Sequence, residues 1–101
     1  METPVESGRI LTEVGAVVPA DRRAALESAY RRLVDGPLPD GLLHTRLLRA
    51  EGGHWRIQTL WRDRAALDAM RAQPEPPAAP RLFREAGAEP TLTVLEVVAE
   101  R

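Results

Sequence analysis

The sequence predicts an α+β domain of ferredoxin-like order, βαββαβ, with a four-stranded antiparallel sheet carrying its helices on one face. Three observations point there. Apolar spacing switches between the two-residue repeat of strands and the 3.6-residue repeat of helices in that order. A short turn at Glu51-Gly52-Gly53 separates the second and third strands, so these two form a hairpin. A cluster of prolines, Pro74, Pro76 and Pro77, breaks the second helical stretch in two. At 101 residues the chain is read as one domain, 1–101, with its core at about 8–99.

Each element has a local reason. Ile10 to Val18 alternates as a strand, with Ile10, Thr12, Val14, Ala16 and Val18 on one face and Leu11, Glu13, Gly15 and Val17 on the other. Pro19 suits a helix start, where its missing N–H is not needed. Leu26, Ala29, Tyr30, Leu33 and Val34 then share one helical face, and Gly36-Pro37 ends the helix. Leu42 to Ala50 and Trp55 to Arg62 are the hairpin strands. Asp63 caps a helix running to about Ala72, with Leu67 and Met70 inward. A short helix from Pro77 to Ala86 follows, closed by Gly87, and Thr91 to Ala99 is the last strand.

Composition excludes several classes of function. The net charge is −1 with acids and bases mixed, which disfavours nucleic-acid binding. There is no cysteine and there are two histidines, so neither thiolate chemistry nor a His-rich metal site is available. All fourteen basic residues are arginine, and asparagine is absent, so lysine and asparagine cannot be catalytic. Met1 to Gly8 lacks an apolar run, and no stretch approaches the roughly 20 apolar residues of a membrane span. The expectation is a soluble cytoplasmic protein that binds no membrane.

The first and last strands carry apolar residues on both faces, while helices cover only one. Leaving large apolar side chains in water forfeits roughly 1.5–3 kcal/mol for each. A second copy pressed sheet to sheet is the simplest cover, so a homodimer through the sheet faces is expected.

Trp61, at a strand–helix junction, lines either a core or a ligand cavity. Glu13 lies mid-strand, where an unpaired carboxylate is costly. It is read either as a base or as the ion-pair partner of Arg56 or Arg46. His44 can exchange a proton near neutral pH. Turns of three and four residues at Glu51–Gly53 place it on opposite faces, and the sequence does not choose between them. Tyr30 can point its hydroxyl toward the same interior. Arg46, Arg56 and Arg62 can steady an anionic ligand or pair across the sheet.

In Gly41-Leu42-Leu43, in Thr59-Leu60-Trp61-Arg62-Asp63 with Ala65, Ala66 and Leu67, and in Phe83 ahead of the strand from Thr91, the chain resembles the antibiotic biosynthesis monooxygenase family. That family belongs to the dimeric α+β barrel superfamily. The resemblance, over about residues 8–99, implies a sheet-to-sheet dimer with a cavity between sheet and helices in each protomer. It implies oxygenation of polyketide-like or quinol-like aromatic molecules without metal or flavin, so no cofactor is expected. Trp61 matches the family's cavity tryptophan, and Glu13 stands where a polar residue, often asparagine, is found. Met70 stands where haem-degrading relatives carry a histidine.

On this footing Glu13 and His44 are the expected catalytic residues, and Trp61, Tyr30, Thr59, Met70 and Phe83 the expected substrate contacts. Two other readings stand beside the oxygenase. One is a non-catalytic dimeric ligand-binding or assembly module; the other is a cofactor-free cyclase or isomerase using the same base.

Overall fold

A computed structural model of the chain describes residues 8–101. The expected absence of a signal sequence falls, for residues 1–7, outside that range. The strands are β1 (Ile10–Val17), β2 (Leu42–Arg49), β3 (His54–Trp61) and β4 (Thr91–Glu96), each of the first three within a residue of its expected bounds. The helices are α1 (Arg23–Asp35), α2 (Arg64–Arg71) and α3 (Ala78–Glu85), with 3-10 turns at Ala20–Arg22 and Glu51–Gly53. The sheet order is β2-β3-β1-β4 with every neighbouring pair antiparallel. This is the expected ferredoxin-like architecture, and α2 and α3 pack on one face of the sheet against β3 and β1.

Strand alternation decides which residues meet the helices. Ile10, Thr12 and Val14 of β1 are buried beneath them, as are Trp55, Ile57, Thr59 and Trp61 of β3. The intervening residues, Leu11, Glu13 and Gly15 among them, point to the opposite, open face. That face is less apolar than the sequence suggested. Leu11, Leu60 and the exposed Val17, Leu48 and Leu95 share it with Glu13, His44, Arg46, Arg56 and Gln58.

Caps fix the helix ends. The Asp63 carboxylate accepts the Ala66 N–H at 2.8 Å and starts α2 as expected. At the end of α3, Ala88 N–H donates to the Phe83 carbonyl and Gly87 N–H to that of Arg84, with Gly87 at φ +75°. That is the two-bond closure a left-handed residue permits. Gly41, at φ +84°, sits so close to α2 that a Cβ there would run into Ala66.

Two boundaries differ from expectation by more than one residue. β4 stops at Glu96, which pairs with Ile10, the first residue of β1; past that point Val97 N–H donates to the Arg9 carbonyl. The strand therefore ends where its partner does, not at Ala99. Pro19 precedes a 3-10 turn, and α1 itself begins at Arg23.

The core is in two parts. Val14, Val18, Leu26, Tyr30, Trp55, Ile57, Leu82 and Phe83 belong to one cluster; Ile10, Trp61, Ala66 and Leu67 form the other, flanked by Leu42 and Met70. The division follows from the prolines. Residues 72–77 cannot continue the helix, so α2 and α3 separate over the sheet and leave a gap between the clusters.

Candidate functional site

That gap is a cavity of about 260 Å³. Its floor is the helix-facing side of the sheet: Thr12 and Val14, Leu42 and Thr45, Ile57, Thr59 and Trp61, and Leu92. Leu33 and Val34 of α1, with Leu67 and Met70 of α2, form its roof. The Pro37–Pro39 loop and the segment from Gln73 to Arg81 close the sides. Arg71, Gln73 and Glu75 are exposed, which places them at the mouth.

The interior is apolar except for a line of hydroxyls. Trp61, only 3% exposed, donates its indole N–H to Thr12 Oγ1 at 3.1 Å. Thr12 Oγ1 donates in turn to the Thr59 carbonyl at 3.4 Å. Tyr30 donates its hydroxyl to Thr45 Oγ1, and Thr45 and Thr59 share a hydrogen bond, both at 3.2 Å. Among the described residues, the lining inside the mouth holds no carboxylate and no imidazole.

Several expected site residues therefore meet and others do not. Trp61, Thr59 and Met70 line the cavity together. Tyr30 reaches it only through Thr45, its ring packed in the larger core cluster. Phe83 is fully buried in that cluster and is not part of the lining, so its expected contact with substrate is corrected: it supports α3 against β1 instead.

The largest correction concerns the two expected proton carriers. Glu13 is on the open face, where its carboxylate accepts from Arg56 Nη1 at 2.6 Å. Parity alone puts it there, because its neighbours Thr12 and Val14 face the cavity. His44 is exposed and pairs with Leu60, one residue out of phase with the row containing Trp61. The hairpin register Arg49↔Trp55 settles the parity that the turn left open, and a bulge at Leu43 follows before Leu42 meets Trp61. Thr12 and Thr45 are the site residues that sequence reasoning missed. Thr12 was legible, since it shares a face with Ile10 and Val14; Thr45 depended on the hairpin register.

A second recess, of about 500 Å³, lies at one end of the open face and includes Glu13, His54, Arg56 and Thr93. It is larger, but six of its ten lining residues are polar or charged, beside Gly15, Ala16, Val17 and Trp55, so it offers less apolar wall to hold a ligand. The cavity beside Trp61 is the better binding site. Among the described residues, no group of three or more His, Asp or Glu is placed to hold a metal ion, and no helix is long and apolar enough to cross a membrane.

A four-stranded ferredoxin-like sheet, with an apolar cavity opened between its helices beside a strand-terminal tryptophan, defines a class of α+β domains with an internal cavity. The sequence pattern of the antibiotic biosynthesis monooxygenase family matches residues 15–79, and the chain belongs to that family. Among solved structures, the chain is similar to a variant of SnoaB, a cofactor-independent oxygenase from Streptomyces nogalater. The identity is 18%, covering 93% of this chain and 95% of that one, with a TM-score of 0.72. It is also similar to Rv0793 from Mycobacterium tuberculosis, at 21% identity over 91% and 97% of the two chains and a TM-score of 0.69. The heme-degrading protein Rv3592 of the same organism is similar too, at 24% identity over 93% and 97% and a TM-score of 0.65. These are likenesses of fold. A comparison with curated proteins finds no match.

Proposed function

We propose that the chain is a monooxygenase acting without metal or flavin on a flat aromatic molecule, polyketide-like or quinol-like, held in the cavity beside Trp61. The observation that carries this is the cavity itself: apolar walls, an indole at one side and hydroxyls along the floor, in a chain of the monooxygenase family. Such a site suits a ligand whose ring is buried while its oxygen meets a polar group.

The chemistry is taken to rest largely on the substrate, because among the described residues no carboxylate or imidazole lines the cavity inside its mouth. A phenol or enolisable ketone meets that condition. Its enolate carbon passes one electron to O2, and the radical pair joins as a carbon–oxygen bond. The peroxide then loses water to leave a carbonyl. One oxygen atom stays in the product; the other departs as water with the two hydrogens the carbon gave up. The protein's share is to orient the ring, exclude water and stabilise the anion with hydroxyl donors.

Oxygen uptake with anthrone tests this. Uptake above the uncatalysed rate, persisting in chelator and lost in Trp61→Ala, is the expected result. A folded protein that binds anthrone but consumes no oxygen supports the second reading, a non-catalytic ligand-binding module. The position of Glu13 and His44 on the far face favours that reading. A cyclase or isomerase driven by either residue loses the base it needed at the cavity. The proposal also includes a second copy over the open face, supported by the apolar residues that stay exposed there, Val17 at 55% and Leu95 at 41%.

A further inference from the structure

The hydroxyls of the cavity floor can be counted donor by donor. Thr12 is saturated: its oxygen accepts from Trp61 and its proton goes to the Thr59 carbonyl. Tyr30 donates to Thr45. The contact between Thr45 and Thr59 runs in either direction and uses one proton. Tyr30, Thr45 and Thr59 thus carry three hydroxyl protons, and the two contacts among them use two. One proton is left over whichever way the middle bond points. If Thr45 donates, the spare proton is on Thr59; if Thr59 donates, it is on Thr45.

Both threonines line the cavity, and among the described residues neither makes a further side-chain hydrogen bond. Thr59 is only 7% exposed, and the walls around the pair are apolar, Ile57, Leu67 and Met70 among them. A donor held in such surroundings without a partner is costly. We infer that Thr45 and Thr59 form a subsite for one acceptor oxygen of the ligand, a ketone carbonyl or a phenolate oxygen, with Tyr30 as the positioning residue that donates to the pair from α1. The inference rests on the reading that the cavity takes a small aromatic guest. It adds which atom of that guest is recognised, and by what. Because the spare proton can sit on either threonine, neither is indispensable alone.

Two probes of nearly the same shape test it: 2-acetylnaphthalene, and 2-isopropenylnaphthalene, in which the carbonyl oxygen is replaced by a CH2 group. Binding is measured by equilibrium dialysis. Thr45→Val and Thr59→Val, each nearly isosteric, are expected to leave the ratio of the two affinities as in the wild type. The triple variant Tyr30→Phe/Thr45→Val/Thr59→Val is expected to shift the ratio toward the hydrocarbon by about fivefold, the worth of one neutral hydrogen bond. An unchanged ratio in a triple variant that still binds the hydrocarbon overturns the subsite.

An infrared spectrum of the ketone bound to wild-type protein is a second test, one that does not depend on the variant folding. A carbonyl stretch below its value in hexane supports the subsite, and a stretch equal to that value overturns it. If wild-type protein binds neither probe, the cavity reading fails and takes the subsite with it.

Discussion

Trp61 holds the cavity wall and its floor together, since its one donor is tied to Thr12. Trp61→Phe removes that donor and part of a buried side chain. It is expected to destabilise the fold by about 2 kcal/mol, read by urea unfolding, and to admit a bulkier ring than the wild type binds. Glu13 answers differently. Its salt bridge is on the other side of the sheet, so Glu13→Gln is expected to leave the affinity for a cavity ligand unchanged in dialysis. A loss of affinity there would return Glu13 to the site. The sequence already held the relevant clue. Ile10, Thr12 and Val14 alternate on one face, and a carboxylate between them must face away. The family resemblance points to the position next door, while the periodicity of the strand locates the polar residue that faces the cavity. His44 was not legible in the same way, because five residues outside the β2–β3 ladder, 50–54, lie between Arg49 and Trp55, and their geometry sets the phase of the strand before them.

The elements were legible where a local signal fixes them. Asp63 caps α2 through one hydrogen bond to Ala66, and Asp63→Ala is expected to cost about 1 kcal/mol in denaturant unfolding. Gly41 meets a stricter demand, a positive φ together with contact against Ala66. Gly41→Ala strains the backbone and collides with α2, and a loss of more than about 1 kcal/mol is expected in the same measurement. The end of β4 could not be read from its residues, since Val97, Val98 and Ala99 have strand-like character. It depends on where β1 begins, which is a fact about the partner strand. Phe83 illustrates the same limit for side chains. An apolar residue at the right helical spacing is destined for the interior, yet whether it lines a cavity or fills a core depends on how far apart α2 and α3 are held.

At the scale of the whole molecule, the layer order followed from the alternation of periodicities, because a single sheet with two crossover connections has few ways to bury one face. The open face is the part the protomer leaves unfinished. Leu11 and Leu60 are paired across β1 and β3 at its centre, within reach of the Glu13–Arg56 salt bridge. With a second copy covering them, sedimentation at micromolar concentration is expected to give twice the chain mass. Leu60→Glu is expected to give a single chain that retains its helical circular dichroism. A wild-type protein that sediments as one chain removes the dimer and leaves the cavity to stand by itself.

The proline-bounded gap between α2 and α3 also bears on how such a domain changes its guest. Residues 72–77 border the entrance but contribute nothing to the strand ladder. The width of the aperture is thus written in a short stiff span, separate from the segments that make the scaffold fold. Lengthening or shortening that span retunes which molecules enter while the sheet beneath stays the same, so one architecture can be fitted to unrelated guests by revising a handful of codons.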